Sequence, residues 1–169
     1  MRFIPTKLVL ATAAFAVLGS SPAAANETQQ LKAAIVFNIL RFVDFSNGGA
    51  SDQVRLCLPN DVAGRSALAS LNGRVSGNRR ILVRSTPPGT GQGCDAIYLG
   101  SAGAAEIQRL ERNGLLIIGD GASFIRSGGT IGLVRMGNQV RFEVNNRAAR
   151  ENKIAISSKL LRLAAKIEQ

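Results

Sequence analysis

Few residues in this chain are equipped for chemistry. There is no histidine, which removes the commonest general base and most zinc ligand sets. Neither a G-x-S-x-G nucleophile elbow nor an S-x-x-K pair occurs. The best-placed carboxylate is Asp120, between Gly119 and Gly121 and directly after the apolar run Leu115 to Ile118. The carboxyl end of a strand is where α/β proteins commonly set a functional group, whereas the simpler role is to accept backbone N–H bonds within its own turn. Two glycine clusters suggest phosphate binding and fail for opposite reasons. Gly119-Asp120-Gly121 lacks the third glycine of a dinucleotide fingerprint and opens no long helix, while Gly89, Gly91 and Gly93 follow Pro87-Pro88 and precede a strand. Loop punctuation accounts for both. The expectation is a protein with no catalytic residue, no cofactor and no metal.

The remaining reactive groups are Cys57 and Cys94, the only cysteines. How they are read depends on the compartment. Arg2 and Lys7 form a positive start, Leu8 to Leu18 an apolar stretch and Ala23-Ala24-Ala25 a small-residue cleavage site. The apolar stretch is shorter than the roughly 20 residues a membrane span needs. These features predict that residues 1–25 are a cleaved export signal, with the mature domain running 26–169 from a cut near Ala25/Asn26. In an oxidising compartment Cys57 and Cys94 can pair, and two buried thiols are the alternative. The formal net charge of +10 would favour nucleic acid in a cytosolic protein. An exported chain instead meets lipid headgroups, acidic polymers and acidic protein surfaces. The basic residues are dispersed and the aromatic content is 5%, so no base-stacking surface is expected and nucleic acid is not among the partners.

The elements that would carry these groups follow from periodicity. Glu27 to Val43 reads as a helix with Leu31, Ile35, Asn38 and Phe42 on one stripe, widened by Val36, Ile39, Leu40 and Val43. Apolar over more than half its circumference, it should be buried on two sides, or on one with the other offered to a partner. Asn38 within that stripe should bond backbone. Ser46 to Gly49 forms a loop. Val54 to Leu58, Ile81 to Val83, Ala96 to Leu99 and Leu115 to Ile118 read as strands, with Asp61 capping a helix through Leu71 and a further helix over Ala102 to Arg112. Continuous apolar strands alternating with helices predict an α/β domain with a mixed, mostly parallel sheet of about five or six strands and helices on both faces, a Rossmann-like three-layer arrangement.

The carboxyl-terminal third departs from that alternation. Thr130 to Arg135 and Gln139 to Val144 predict an antiparallel hairpin at one sheet edge, with Val140, Phe142 and Val144 on one face and Arg141 and Glu143 on the other. Asn146 to Asn152 reads as a short helix or turn. Ser157 and Ser158 then offer N-caps for a closing helix, with Leu160, Leu163, Ala164 and Ile167 on its apolar face. Whether Glu143 and Arg41 pair at a partly buried position is left open.

The segments KAAIVFNILRFVDF, VRLCL, GCDAIYLG, FIRSGGTIGLV, VRFEVN and ISSKLLRLA, in that order, resemble the YfiR-like family of exported regulators across essentially the whole mature chain. The resemblance implies a periplasmic α/β domain without enzymatic activity, similar to a repressor that contacts the periplasmic domain of a membrane-bound diguanylate cyclase. An OmpA/Pal-like outer-membrane lipoprotein, which relieves such a repressor, and a second copy of the chain are the further partners it suggests. A small-molecule-binding or sensing protein is the alternative.

Residue by residue, Cys57 and Cys94 match the family's recurrent cysteine pair, supporting a disulfide. Arg41 and Phe42 match the basic-aromatic end of the first helix, Glu143 and Asn145 the FEVN signature, and Ser157, Lys159 and Leu161 the closing helix. The chain departs from the family in two places. It has no second cysteine pair around Phe124 to Ile131, so redox control through such a pair is not expected, and Asp44-Phe45-Ser46 replaces the usual aromatic-proline stop.

Overall fold

A computed structural model describes residues 22–45, 52–110 and 113–169. The apolar stretch of the leader, the Ser46 to Gly49 loop and Arg112 lie outside the described residues. Eight strands form one sheet: β2 (Gln53–Pro59), β3 (Val75–Ser76), β4 (Arg79–Thr86), β5 (Ala96–Tyr98), β6 (Leu116–Asp120), β7 (Ile131–Met136), β8 (Gln139–Asn145) and β10 (Lys166–Glu168). Their order is β10-β8-β7-β6-β5-β2-β4-β3. From β4 through β7 neighbouring strands run parallel, β7 and β8 form the expected antiparallel hairpin, and β10 lies parallel to β8. The sheet is wider than five or six strands because β3 and β10, its two edges, are too short to carry an apolar run.

Strands buried on both faces create two cores. Leu56, Leu58, Tyr98, Leu116 and Ile118 face one side with Phe142 and Val144. The intervening Cys57, Ile97 and Ile117 face the other, where Ile107 and Phe124 join them. The first core is covered by α1 (Pro22–Arg41) and α2 (Arg65–Ala69), and the second by α3 (Ala104–Arg109). Each fully buried Val, Ile or Leu in these layers contributes about 1.5–3 kcal/mol.

The helix α1 crosses the first face obliquely, with Lys32 meeting the carboxyl end of β6 and Leu40 reaching Arg79 at the amino end of β4. Its buried line is Ala33, Val36, Ile39 and Leu40, whereas Leu31 is 44% exposed. Of the two alternatives, burial on one side holds: in the stripe Leu31, Ile35, Asn38 and Phe42, Leu31 and Asn38 are exposed, while Ile35 and Phe42 are only partly buried against the core. On a helix apolar over most of its circumference, periodicity cannot choose the face, and small Ala33 permits the closer approach. Asn38 is exposed and needs no backbone partner.

Three further expectations change. The helix after β2 starts at Arg65, not Asp61, because Gly64 takes a left-handed conformation (φ 76°) that breaks the turn before it. Val43 belongs to β1 (Val43–Phe45), which pairs antiparallel with β9 (Ile154–Ile156) in a separate ribbon. The closing helix α5 (Ser158–Leu161) is a single turn. After it, Lys166 to Glu168 pair with Glu143 to Asn145 and cover the edge that the hairpin would otherwise expose. Ser157 is the N-cap as expected, accepting from Leu160 N at 3.3 Å.

Cys57 in β2 and Cys94 before β5 form a disulfide, with Cα atoms 5.9 Å apart and a sequence separation of 37. Closing a loop of that length constrains the unfolded chain, so Cys57→Ala/Cys94→Ala is expected to cost about 2–4 kcal/mol. Urea denaturation reads this directly. A reductant should produce the same shift in the unaltered protein and none in the variant.

Candidate functional site

Two of the places where charge meets accessible space among the described residues hold groups singled out above. The first is at the carboxyl end of β6. Asp120 does not cap its own turn. Instead its Oδ2 accepts from Lys32 Nζ at 2.7 Å and its Oδ1 from the Tyr98 hydroxyl at 2.8 Å. The Lys32 and Asp120 side chains are only 18% and 14% exposed, and Tyr98 is fully buried. Asp120 is therefore where a strand-end functional group was expected, but its partners come from α1 and β5. Sequence reading missed both Lys32 and Tyr98, and only the single tyrosine in an otherwise apolar strand hinted at a polar partner.

Burial above all, reinforced by the Asp120 carboxylate, pushes the Tyr98 phenol far above its ordinary pKa. A folded-state pKa raised above the unfolded value gives stability that is fully present below about pH 10 and lost as pH rises beyond it. Tyr98 is the only tyrosine and there is no tryptophan, so absorbance follows it alone. The phenolate band should appear only together with loss of secondary structure at alkaline pH. Ionisation near pH ~10 in a fully folded protein would refute this.

The second place is a groove of about 310 Å³ where the carboxyl end of α1 meets the β1/β9 ribbon, lined in part by Arg41, Phe42, Arg79 and Ser157. Ser157 N donates to Phe42 O at 3.0 Å, which ties these remote segments together. The Arg41 guanidinium is exposed and lies 5.7 Å from the centre of the half-buried Phe42 ring. Arg79 donates to Val43 O at 2.7 Å and to Leu40 O at 3.4 Å, and sits 5.2 Å over Phe45. A cation supplying donors at a helix carboxyl end satisfies carbonyls the helix leaves open. The adjacent pair Arg79-Arg80 was the only sequence signal for it.

The other signature residues lie elsewhere. Asn145 is buried and joins two segments: its Oδ1 accepts from Ala148 N at 2.8 Å, capping α4 (Asn146–Glu151), and its Nδ2 donates to Ile125 O at 2.9 Å. Glu143 is half-buried, in register with Gly132 and Lys166, on the sheet face away from α1. No ion pair joins it to Arg41. Lys159 is exposed on α5, and Leu161 packs partly against the larger core.

Residues 29–165 match the family described as DUF4154, YfiR/HmsC-like. The chain is a member of the YfiR/HmsC-like family. That family is periplasmic and regulatory rather than catalytic, associated with diguanylate cyclase control. No curated protein sequence matches the chain. Among solved structures, a conserved domain protein from Vibrio cholerae O1 biovar El Tor is similar at a TM-score of 0.52 and 12% identity, over 83% of this chain and 60% of that one. The ABC domain of a Streptococcus pneumoniae protein, solved with L-Trp, gives a TM-score of 0.48 and 9% identity over 82% and 60% of the two chains. The Vibrio likeness is one of fold alone, and the streptococcal one is too loose to argue from. This YfiR/HmsC-like chain thus spans about 60% of the length of the structures it resembles. Among its described residues no helix is long and apolar enough to cross a membrane, and no cluster of His, Cys, Asp or Glu could hold a metal ion.

Proposed function

We propose that this protein binds the periplasmic sensor domain of an inner-membrane diguanylate cyclase through the groove at the end of α1, holding the sensor inactive and lowering cyclic-di-GMP synthesis. The observation that carries this reading is the gathering of Arg41, Phe42 and Ser157, remote in sequence, around one open groove. The outer side of α1 extends that surface with Leu31 and Ile35, which the fold leaves partly open. Phe42 supplies a rigid aromatic contact and Arg41 a charge, residue types that often dominate binding energy. Repression requires tighter binding to the inactive sensor state, since equal affinity for both states shifts nothing. An OmpA/Pal-like lipoprotein competing for the same face would relieve repression. Asn145 and the disulfide hold the scaffold, and neither Glu143 nor Lys159 lines the groove.

The test is a deletion strain complemented with Arg41→Glu/Phe42→Ala. Cyclic-di-GMP should rise on deletion, fall with the unaltered protein and stay high with the variant, whose melting temperature should be close to that of the parent. Full repression by a folded variant would remove the groove from the interface. An unchanged cyclic-di-GMP level on deletion would remove the function.

A further inference from the structure

We propose that the cavity beneath the amino-terminal half of α1, at the carboxyl end of β6, binds a small organic monocarboxylate. It measures about 320 Å³, at the small end of the roughly 300–1,000 Å³ of ligand pockets. Leu133, Val134 and Val140 supply apolar wall, while Lys32, Arg135 and Ser101 supply donors. Its one carboxylate, Asp120, already has Lys32 on one oxygen and Tyr98 on the other. The charge of Asp120 is thus already matched by Lys32 and each of its oxygens already holds a donor, which disfavours an incoming ammonium group.

Donors remain in surplus. An ammonium has three N–H groups, and Lys32 gives one to Asp120. Arg135 is exposed and uses its Nε on Gly137 O at 3.3 Å, which leaves the outer guanidinium nitrogens available for a planar carboxylate. Two cations against one carboxylate leave a single positive charge to be balanced, and the apolar wall calls for an aliphatic or aromatic body on the bound anion. Glu27 borders the adjoining groove and not this cavity. An ion pair serving only to fasten α1 would need neither the opening beside it nor Arg135 at the rim. No residue of this cavity lines the docking groove, which is built around Arg41 and Phe42 at the other end of the helix.

Calorimetric titration of the full chain with butyrate, hexanoate and octanoate, set against the matching alkylamines and alcohols, tests the site. Saturable binding is expected for the carboxylates, tightening with chain length until the cavity is full, with the amines and alcohols weaker by about tenfold or more. Arg135→Ala, at an exposed position, should weaken octanoate binding by about tenfold without lowering the melting temperature. Arg80→Ala, on a strand at the far side of the sheet, should leave it unchanged. The proposal is overturned if no carboxylate binds saturably, if amines bind equally well, if Arg135→Ala binds like the parent, or if Arg80→Ala weakens binding as much as Arg135→Ala does. Cyclic-di-GMP levels do not enter this test, so its failure and that of the docking surface are distinguishable.

Discussion

Asp120→Ala is expected to destabilise the fold by about 3–5 kcal/mol, the cost of removing one partner from a buried charge pair. The loss acts on two groups. Lys32 keeps its charge beneath α1 without a counterion, and the Tyr98 hydroxyl, fully buried, loses its acceptor. The residual exposure of the pair, 18% and 14%, places the effect toward the lower end of that range. Asp120→Asn keeps an oxygen for Tyr98 and should cost less. Lys32→Met combined with Asp120→Asn should cost less than the sum of the two single changes, because the uncompensated charge is gone. Urea denaturation of the four proteins measures the coupling. A cost for Asp120→Ala below ~1 kcal/mol would mean that the pair behaves as a solvated surface bridge.

Phe124→Ala should be comparably severe, at about 3–5 kcal/mol for emptying an aromatic site in a closed core. Phe124 is 1% exposed in the smaller core, and its ring fills the space that Gly119 and Gly129 leave by lacking a Cβ. These two glycines are not equivalent. The three atoms nearest to a Cβ on Gly129 all belong to the Phe124 side chain, whereas one on Gly119 would also lie 2.6 Å from the Gly100 carbonyl oxygen. Gly129→Ala should therefore be partly rescued by Phe124→Leu, and Gly119→Ala should not, since backbone cannot give way as a ring can. Equal rescue of both by Phe124→Leu, read from denaturation midpoints, would contradict this packing.

What sequence could reveal divides along the reach of the interactions. The apolar runs of β2, β5 and β6, the β7/β8 hairpin with its Gly137-Asn138 turn and the Ser157 cap are local signals, and each was legible. The segment after Leu161 was not. Leu160, Leu163, Ala164 and Ile167 fit a helical stripe, but Lys166 to Glu168 form a strand because β8 leaves an edge to be paired. That edge is a property of the assembled sheet, invisible in the segment itself. The same holds at Asp120, whose partners lie 88 and 22 positions away. Arg41, Phe42 and Ser157 were each marked by family resemblance, while their meeting in one groove depends on β1 pairing with β9, which no periodicity announced.

The short strands at the two ends of the sheet also give the basic composition a purpose that requires no anionic ligand. A sheet edge offers unpaired backbone groups on which another molecule's strand can grow, and brevity and positive charge are the usual deterrents. Here β3 has two residues, next to Arg74 and the Arg79-Arg80 pair, and β10 has three, beginning with Lys166. Two copies approaching through their β3 edges bring the arginines together before any ladder can form, while β10 relies on its brevity. Part of the positive charge that would favour a polyanion partner can thus help keep concentrated protein in solution and prevent its strands from templating fibres.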